Sequence, residues 1–233
     1  MLLGRGTSVI TSLHHSTACG GDRVLLVMLP GAGIAAGEFA EHGMVASVQE
    51  RGLAIDIVAA CPALDLYLDG TIIEALHCSI VTPALARGYK RLWFLGVSLG
   101  GMGALLYTSA HAEQVEGLVL LAPFLGVQGT VAELVEAGGL ASWSPSGSSA
   151  TMTERQSLVW LQGLLARKPA CPALYLGYGR WDRFARGHRM LAEWLPKERV
   201  VTVEGGHDWD TWLALWRQLL DAAPFAANGS NVR

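Results

Sequence analysis

Residues Arg91–Gly103 read RLWFLGVSLGGMG. An apolar run, Leu92-Trp93-Phe94-Leu95, meets a sharp turn through Gly96-Val97-Ser98-Leu99-Gly100. Gly101-Met102-Gly103-Ala104-Leu105-Leu106 then continues as a helix. Strand, turn and helix in so few residues force close packing around Ser98. Gly96 and Gly100 keep the strand and helix from colliding, and only small flanking residues tolerate a strained backbone at the serine. The turn points the Ser98 hydroxyl out of the sheet. The Leu99 amide sits at a helix N-terminus, where it can bind a developing oxyanion.

Outward from this stretch, the chain repeats one theme. Val24–Leu29 (VLLVML) is too short for a helix and suits a strand buried on both faces of a parallel sheet. Pro30-Gly31-Ala32-Gly33 leaves it at once. Glu38–Arg51 reads as a helix ended by Gly52, and Leu53–Ala60 as the next strand. Cys61–Gly70 reads as a loop. Thr71–Arg87 is helical, with Pro83 bending it. Beyond the serine turn, Gly117–Ala122 is another buried strand; its exit, Pro123-Phe124-Leu125-Gly126, carries no carboxylate. Thr130–Ala137 predicts a short helix and Gly138–Ser149 a loop. Glu154–Arg167 is amphipathic, with Leu158, Leu161 and Leu165 at helical spacing. Ala173–Leu176 predicts a strand, followed by Gly177–Asp182. Arg199–Val203 is the last strand, leading through Gly205-Gly206-His207 into the helix Thr211–Asp221. Ser8–Ser16 suits an early antiparallel strand, and Ala222–Arg233 a frayed tail.

These features resemble the α/β-hydrolase superfamily over most of the chain. The G-x-S-x-G turn matches that family's nucleophile elbow. The resemblance implies an α/β fold of the α/β-hydrolase type: a mostly parallel central sheet, helices on both faces, and a small cap insertion. It implies one domain over residues 1–233, with residues 127–168 in the place of a cap or lid; Glu154–Arg167 also reads as an ordinary crossover helix. It implies Ser98 as nucleophile, Asp182 as the acid and His207 as the base, in the chain order this fold uses. Ala32, with Gly33 close behind, takes the place of the second oxyanion donor beside Leu99. Many members carry His before the first glycine of that loop; here it is Pro30. Asp182 equally suits the N-cap of a helix Arg183–Leu195. Asp208 and Asp210 lie too near His207 in sequence to reach its far ring nitrogen and read as N-caps or dipole partners.

The constellation predicts a serine hydrolase that cleaves a carboxylic ester through an acyl-enzyme. A thioesterase or acyltransferase, with a carrier protein as partner, would use the same residues. A noncatalytic binding protein on this fold is the third reading. The expected substrate is a small-molecule ester or thioester. Met102, Phe124, Leu125, Trp143, Trp181 and Trp209 are expected at the entrance, where they would favour a short or medium acyl chain or an aromatic ester; each also suits a core position. No metal or organic cofactor is required.

Composition narrows the alternatives. Of 233 residues, 51% are hydrophobic and 16% charged, with a net charge of −3. That describes a folded chain without the basic patch that nucleic acid requires. Cys19, Cys61, Cys78 and Cys171 form no C-x-x-C, which predicts buried, reduced thiols. The N-terminus lacks the apolar core of a signal peptide, and no apolar run reaches the roughly 20 residues of a membrane span. A cytoplasmic protein with no stable membrane insertion is the expectation.

Overall fold

The computed structural model describes residues 10–16, 23–166 and 172–222. The expectations for the first residues, Cys19, Cys171 and the C-terminal tail lie outside these. Among the described residues one sheet of seven strands runs in the order β1-β3-β2-β4-β5-β6-β7. The strands are β1 (Thr11–His15), β2 (Val24–Leu29), β3 (Ile55–Cys61), β4 (Arg91–Val97), β5 (Gly117–Leu121), β6 (Ala173–Gly179) and β7 (Val200–Val203). All neighbours pair in parallel except β1, which runs antiparallel to β3 at the edge.

Alternation explains the layering. Leu25, Val27 and Leu29 of β2 face one core, and Val24, Leu26 and Met28 face the other. Such a strand needs cover on both faces, and parallel crossovers supply it. On one face lie α1 (Glu38–Glu41), α2 (Met44–Glu50) and, from the chain's end, α10 (Trp209–Ala222). On the other lie α3 (Leu64–Leu68), α4 (Ile72–Leu76), α5 (Thr82–Ala86), α6 (Leu99–Ala110), α7 (Gln128–Glu136), α8 (Met152–Leu165) and α9 (Ala185–Ala192). Trp216 of α10 is fully buried, and its Nε1 donates to the Met44 carbonyl at 3.0 Å. Burying a ring of that size contributes about 5 kcal/mol at the usual apolar coefficient.

Several expected boundaries shift for identifiable reasons. The predicted helix Glu38–Arg51 is two helices, broken at Gly43 with φ +83°. The loop Cys61–Gly70 contains α3, whose Leu66 and Tyr67 are buried. Between α4 and α5 the chain makes a wide π-type turn, His77–Val81; Pro83 lacks the amide that would bond the Ser79 carbonyl, and the turn ahead of it opens. Strand β6 runs on through Gly177-Tyr178-Gly179. Cys61 and Cys78 are free, but neither is buried as expected: Cys61 is half-buried and Cys78 exposed, its thiol donating to Glu74 Oε1 at 3.0 Å.

The expected cap region divides. Helix α8 packs in the core beside α6, as a crossover between β5 and β6 does. Its N-terminus carries a capping box at Thr151 and Glu154. The buried Glu154 carboxylate also accepts the Val127 amide at 2.8 Å, folding the start of the segment back onto α8. No helix among the described residues is long and apolar enough to cross a membrane.

Strand register decides where the chain can build a site. Leu29 lies opposite Gly96, Val97 opposite Leu121, Leu121 opposite Gly177, and Gly179 opposite Val203. The carboxyl ends of β2, β4, β5, β6 and β7 therefore finish along one edge, the edge where open α/β sheets bind ligands.

Candidate active site

Ser98 follows β4 directly with φ 51° and ψ −115°, a backbone state that L residues avoid. Hydrogen bonds on both sides hold it there. Its amide donates to the Leu121 carbonyl at 3.0 Å, and its carbonyl accepts from Gly101 and Phe124, each at 2.9 Å. The glycines are a steric requirement. A Cβ on Gly96 would stand 2.4 Å from the Gly100 carbonyl oxygen, and one on Gly100 would stand 2.0 Å from that of Leu29. Helix α6 therefore starts jammed against the exit of β2. As first residue of that helix, Leu99 has no intrahelical acceptor for its amide.

The loop after β2 passes the same serine. A Cβ on Gly31 would lie 3.3 Å from Ser98 Cβ. The Ile34 amide donates to the Gly31 carbonyl at 3.2 Å, closing a turn over Ala32 and Gly33. Gly33 has φ +75° at the third position, where such a turn requires a positive φ. Ala32 and Gly33 are exposed on this loop, directly after the glycine that approaches Ser98.

The exits of β6 and β7 are joined by main-chain bonds. The Arg180 amide donates to Val203 at 2.9 Å, and the Trp181 amide to Gly205 at 3.0 Å. A Cβ on Gly179 would meet the Gly205 carbonyl oxygen at 2.4 Å, so the two loops touch backbone to backbone. This brings Asp182 to His207. Asp182 Oδ2 accepts from His207 Nδ1 at 2.7 Å, and Asp182 Oδ1 accepts the Phe184 amide at 2.8 Å. One oxygen thus serves the imidazole and the other closes a turn onto the Phe184 amide; the expected helix from Arg183 starts only at Ala185, with Phe184 and not Asp182 at its N-cap. On the far side of the ring, His207 Nε2 lies 3.0 Å from Ser98 Oγ. With Nδ1 donating to the carboxylate, Nε2 keeps the lone pair that accepts the serine proton.

The electrostatics fit that proton arrangement. The Asp182 side chain has no solvent exposure. Burial alone would raise its pKa, but the hydrogen bonds from His207 and the Phe184 amide outweigh it and hold the carboxyl below the usual range. Aromatic edges enclose the imidazole: Phe184 at 5.2 Å and Trp212 at 5.1 Å between ring centroids. Behind Asp182, burial pushes the pKa of His188 down to about 4, and its Nε2 donates to the Pro123 carbonyl at 2.9 Å. Neutral, His188 adds no cation to compete with His207 for the carboxylate. Asp208 Oδ1 accepts the Thr211 amide at 2.9 Å and caps α10.

Among solved structures, FphF, a fluorophosphonate-binding serine hydrolase of Staphylococcus aureus, matches over 92% of this chain and 99% of its own, with TM-score 0.63 at 13% identity. The chain has the α/β-hydrolase fold. A ferulic acid esterase is similar over 93% of this chain and 98% of its own (TM-score 0.59, 15% identity). So is MGS-MChE2, an α/β hydrolase from the metagenome of Mar Chica lagoon sediments in Morocco, over 91% and 93% (TM-score 0.54, 20% identity). No protein-family model and no curated protein matches the sequence.

Two clefts open on this edge of the α/β-hydrolase fold. One, of about 490 Å³, runs from the Pro30–Ala35 loop past Pro62 and Leu64 to Tyr67 and Leu99, and is mostly apolar. The other, of about 380 Å³, lies between Gly126–Ala132 and Arg183–Gly187, with Phe184 on its wall. A third cavity of about 380 Å³, among His15, Asp56, Arg87 and Tyr89, sits at the opposite sheet edge, away from Ser98. No cluster of three or more His, Cys, Asp or Glu that could hold a metal occurs among the described residues.

The residues expected at the entrance divide. Met102, Leu125 and Trp143 are buried in the core on the α6 face, and none lines either cleft. They correct the expected lining: helix and loop backbone turn these side chains inward. Trp181 is 73% exposed, and Trp209 stacks on His42 at 4.4 Å. Phe124 is half-buried and edge-on to Phe184 at 5.9 Å. Tyr67, on α3 in the loop after β3, lines the apolar cleft, and Phe184 escapes sequence reading. Phe184 lies two residues past Asp182, and the bond from its own amide to that carboxylate turns its ring toward His207. Its one sequence signal is being the aromatic residue between Arg183 and Arg186 at this exit.

Proposed function

We propose that the protein is a serine hydrolase that cleaves carboxylic esters through an acyl-enzyme. One observation carries the reading: Asp182, His207 and Ser98, from three separate strand exits, form an unbroken chain of hydrogen bonds at 2.7 and 3.0 Å. Ser98 Oγ attacks the ester carbonyl carbon while His207 Nε2 takes its proton. Asp182 holds the imidazole in the required tautomer and stabilises the imidazolium. The amides of Leu99 and Ala32 receive the oxyanion; losing one such donor typically costs about 3–4 kcal/mol. The tetrahedral intermediate collapses, and the departing alcohol takes the proton from His207. Water then attacks the acyl carbonyl, gives its proton to His207, and frees the acid and Ser98. The likeness to a ferulic acid esterase and to FphF supports the same reading.

Two measurements test it. A fluorophosphonate probe should label the native protein and leave Ser98→Ala unlabelled. Purified protein should hydrolyse short aryl esters, with the Ser98→Ala variant at background. Equal turnover by both proteins removes the assignment. The same acyl group presented as oxygen ester and as thioester decides between esterase and thioesterase, and added alcohol acceptors reveal acyl transfer.

A further inference from the structure

The cleft beside Phe184 has a charge that the rest of the molecule does not explain. Arg183 and Arg186 both line it, and no Asp or Glu does. Both are exposed, and among the described residues neither makes a salt bridge or a side-chain hydrogen bond. Arg51 pairs with Asp221, Arg91 with Glu116 and Arg180 with Glu204, whereas Arg87, Arg155, Arg189, Arg199 and Arg217, like these two, form no salt bridge among the described residues; what sets Arg183 and Arg186 apart is that they share one cleft. Nearby carboxylates are already engaged. Asp182 holds His207, Glu154 accepts the Val127 and Thr151 amides, and Glu133 accepts from Ser148 and Ser149. With a net charge of −3 overall, an acid-free cleft holding two guanidinium groups is not a by-product of a basic chain.

The cleft also adjoins the chemistry. The Arg183 guanidinium lies over the Phe184 ring at 5.0 Å, and that ring is edge-on to His207 at 5.2 Å. Arg183 is thus one ring away from the imidazole. The other cleft has no charged residue in its lining. The two sides of Ser98 differ in polarity, and an ester spanning them would be apolar at one end and anionic at the other. Guanidinium groups suit planar, bidentate recognition of carboxylate and phosphate. Two exposed guanidinium groups lining one acid-free cleft offer an entering oxyanion two charge-assisted partners.

We propose that Arg183 and Arg186 bind an anionic oxyacid group, carboxylate or phosphate, carried by the ester that Ser98 cleaves. This rests on the hydrolase reading above and adds the substrate class. The test uses aryl and alkyl esters in matched pairs, each anionic member against a neutral isostere: carboxylate against carboxamide, phosphate monoester against its dimethyl ester. Placing the charge on the acyl or on the alcohol part shows which part of the substrate occupies the cleft. The native protein should prefer the best anionic member by about tenfold or more in kcat/KM, mainly through KM, because two unpaired guanidinium groups lose their partner in the isostere. The preference should shrink as NaCl rises from about 0.05 to about 0.5 M. The Arg183→Gln/Arg186→Gln double variant should bring the anionic-to-neutral ratio close to one, while Lys197→Gln, a cation on another surface, keeps it.

A native ratio near one, or a ratio unchanged in the double variant, overturns the proposal while leaving ester hydrolysis standing. Titration calorimetry of benzoate and phenyl phosphate into Ser98→Ala measures the same site without turnover. Affinity lost in Ser98→Ala/Arg183→Gln/Arg186→Gln supports the anion site, and equal affinity refutes it. Loss of turnover and of fluorophosphonate labelling would count against the hydrolase reading alone.

Discussion

Replacing Ser98 by glycine should stabilise the protein relative to replacing it by alanine, although both changes remove the hydroxyl. Ser98 sits at φ 51° and ψ −115°. This lies outside the small left-handed well open to L residues, and a residue held there stores about 1–3 kcal/mol. Alanine keeps the Cβ and hence the strain. Glycine removes it, but a glycine in a fixed conformation costs about 0.5–1 kcal/mol more chain entropy. The difference leaves Ser98→Gly about 1 kcal/mol more stable than Ser98→Ala. Both variants take the same partner from His207 Nε2, so that loss cancels. For a chain of this size the gain corresponds to about 2–4 °C in Tm. Differential scanning calorimetry on the two variants, with urea unfolding as a second measurement, reads it directly. If Ser98→Gly melts at or below Ser98→Ala, the serine's backbone is not strained and the account of Gly96 and Gly100 as its accommodating neighbours fails.

Asp182→Asn should cut kcat by roughly 10⁴ with the fold intact: the amide can still accept from Phe184, but an NH₂ facing His207 Nδ1 forces the wrong tautomer. Steady-state kinetics beside a circular dichroism spectrum check both halves. Gly100→Ala should cost about 3 kcal/mol or more, because its Cβ meets backbone at 2.0 Å, whereas Gly33→Ala meets nothing within 4 Å and should cost only the roughly 1–2 kcal/mol of a positive φ; denaturant midpoints separate the two. His188, with its pKa lowered to about 4 from 6.5, makes the native state bind fewer protons than the unfolded chain. Its contribution is therefore present above pH 6.5 and is lost as pH falls toward 4, by up to about 3 kcal/mol. Urea midpoints from pH 7 to 4 should show that slope and should flatten in His188→Gln, whose amide can still donate to the Pro123 carbonyl.

The sheet is legible in the sequence because strands buried on both faces leave a plain signal. VLLVML and LWFLGV are apolar without a gap, and each alternates between two cores. Ser98, Asp182 and His207 stand out for a related reason: each is a reactive side chain just past such a run, and parallel strands bring their exits to one edge. The differences share a cause as well. The sequence points to Trp181 rather than Phe184, and puts Met102, Leu125 and Trp143 at the entrance. Periodicity fixes which way a residue points within a strand or helix, but at a loop the direction depends on bonds between distant exits. The Phe184 ring faces His207 because its amide is bound to Asp182, and Trp181 points to solvent because its amide is bound to Gly205. Neither partner is a neighbour in sequence pattern. Gly43 breaks a helix whose apolar stripe is continuous, since the stripe records burial and not the backbone reversal at φ +83°.

A fold shared at 13% identity asks what little must be kept. The hydrophobic effect that buries the two cores is non-directional, so Leu, Val or Ile can serve at most sheet positions. The contacts that bring the five strand exits together are of another kind. Gly100 against Leu29, Gly96 against Gly100, and Gly179 against Gly205 are backbone approaches at which a single Cβ would stand 2.0–2.4 Å from a carbonyl oxygen. No side chain can substitute there without moving a strand. The main-chain bonds from Ser98 to Leu121, Phe124 to Ser98 and Trp181 to Gly205 need no side-chain identity at all. The site is thus assembled by glycines and amides, and the three reactive side chains are set onto an edge whose geometry the backbone has already determined. It follows that specificity has to come from elsewhere, from the cleft walls on either side. There Arg183, Phe184 and Arg186 are free to change without disturbing the elbow, which makes them the natural place for this chain to differ from others of its fold.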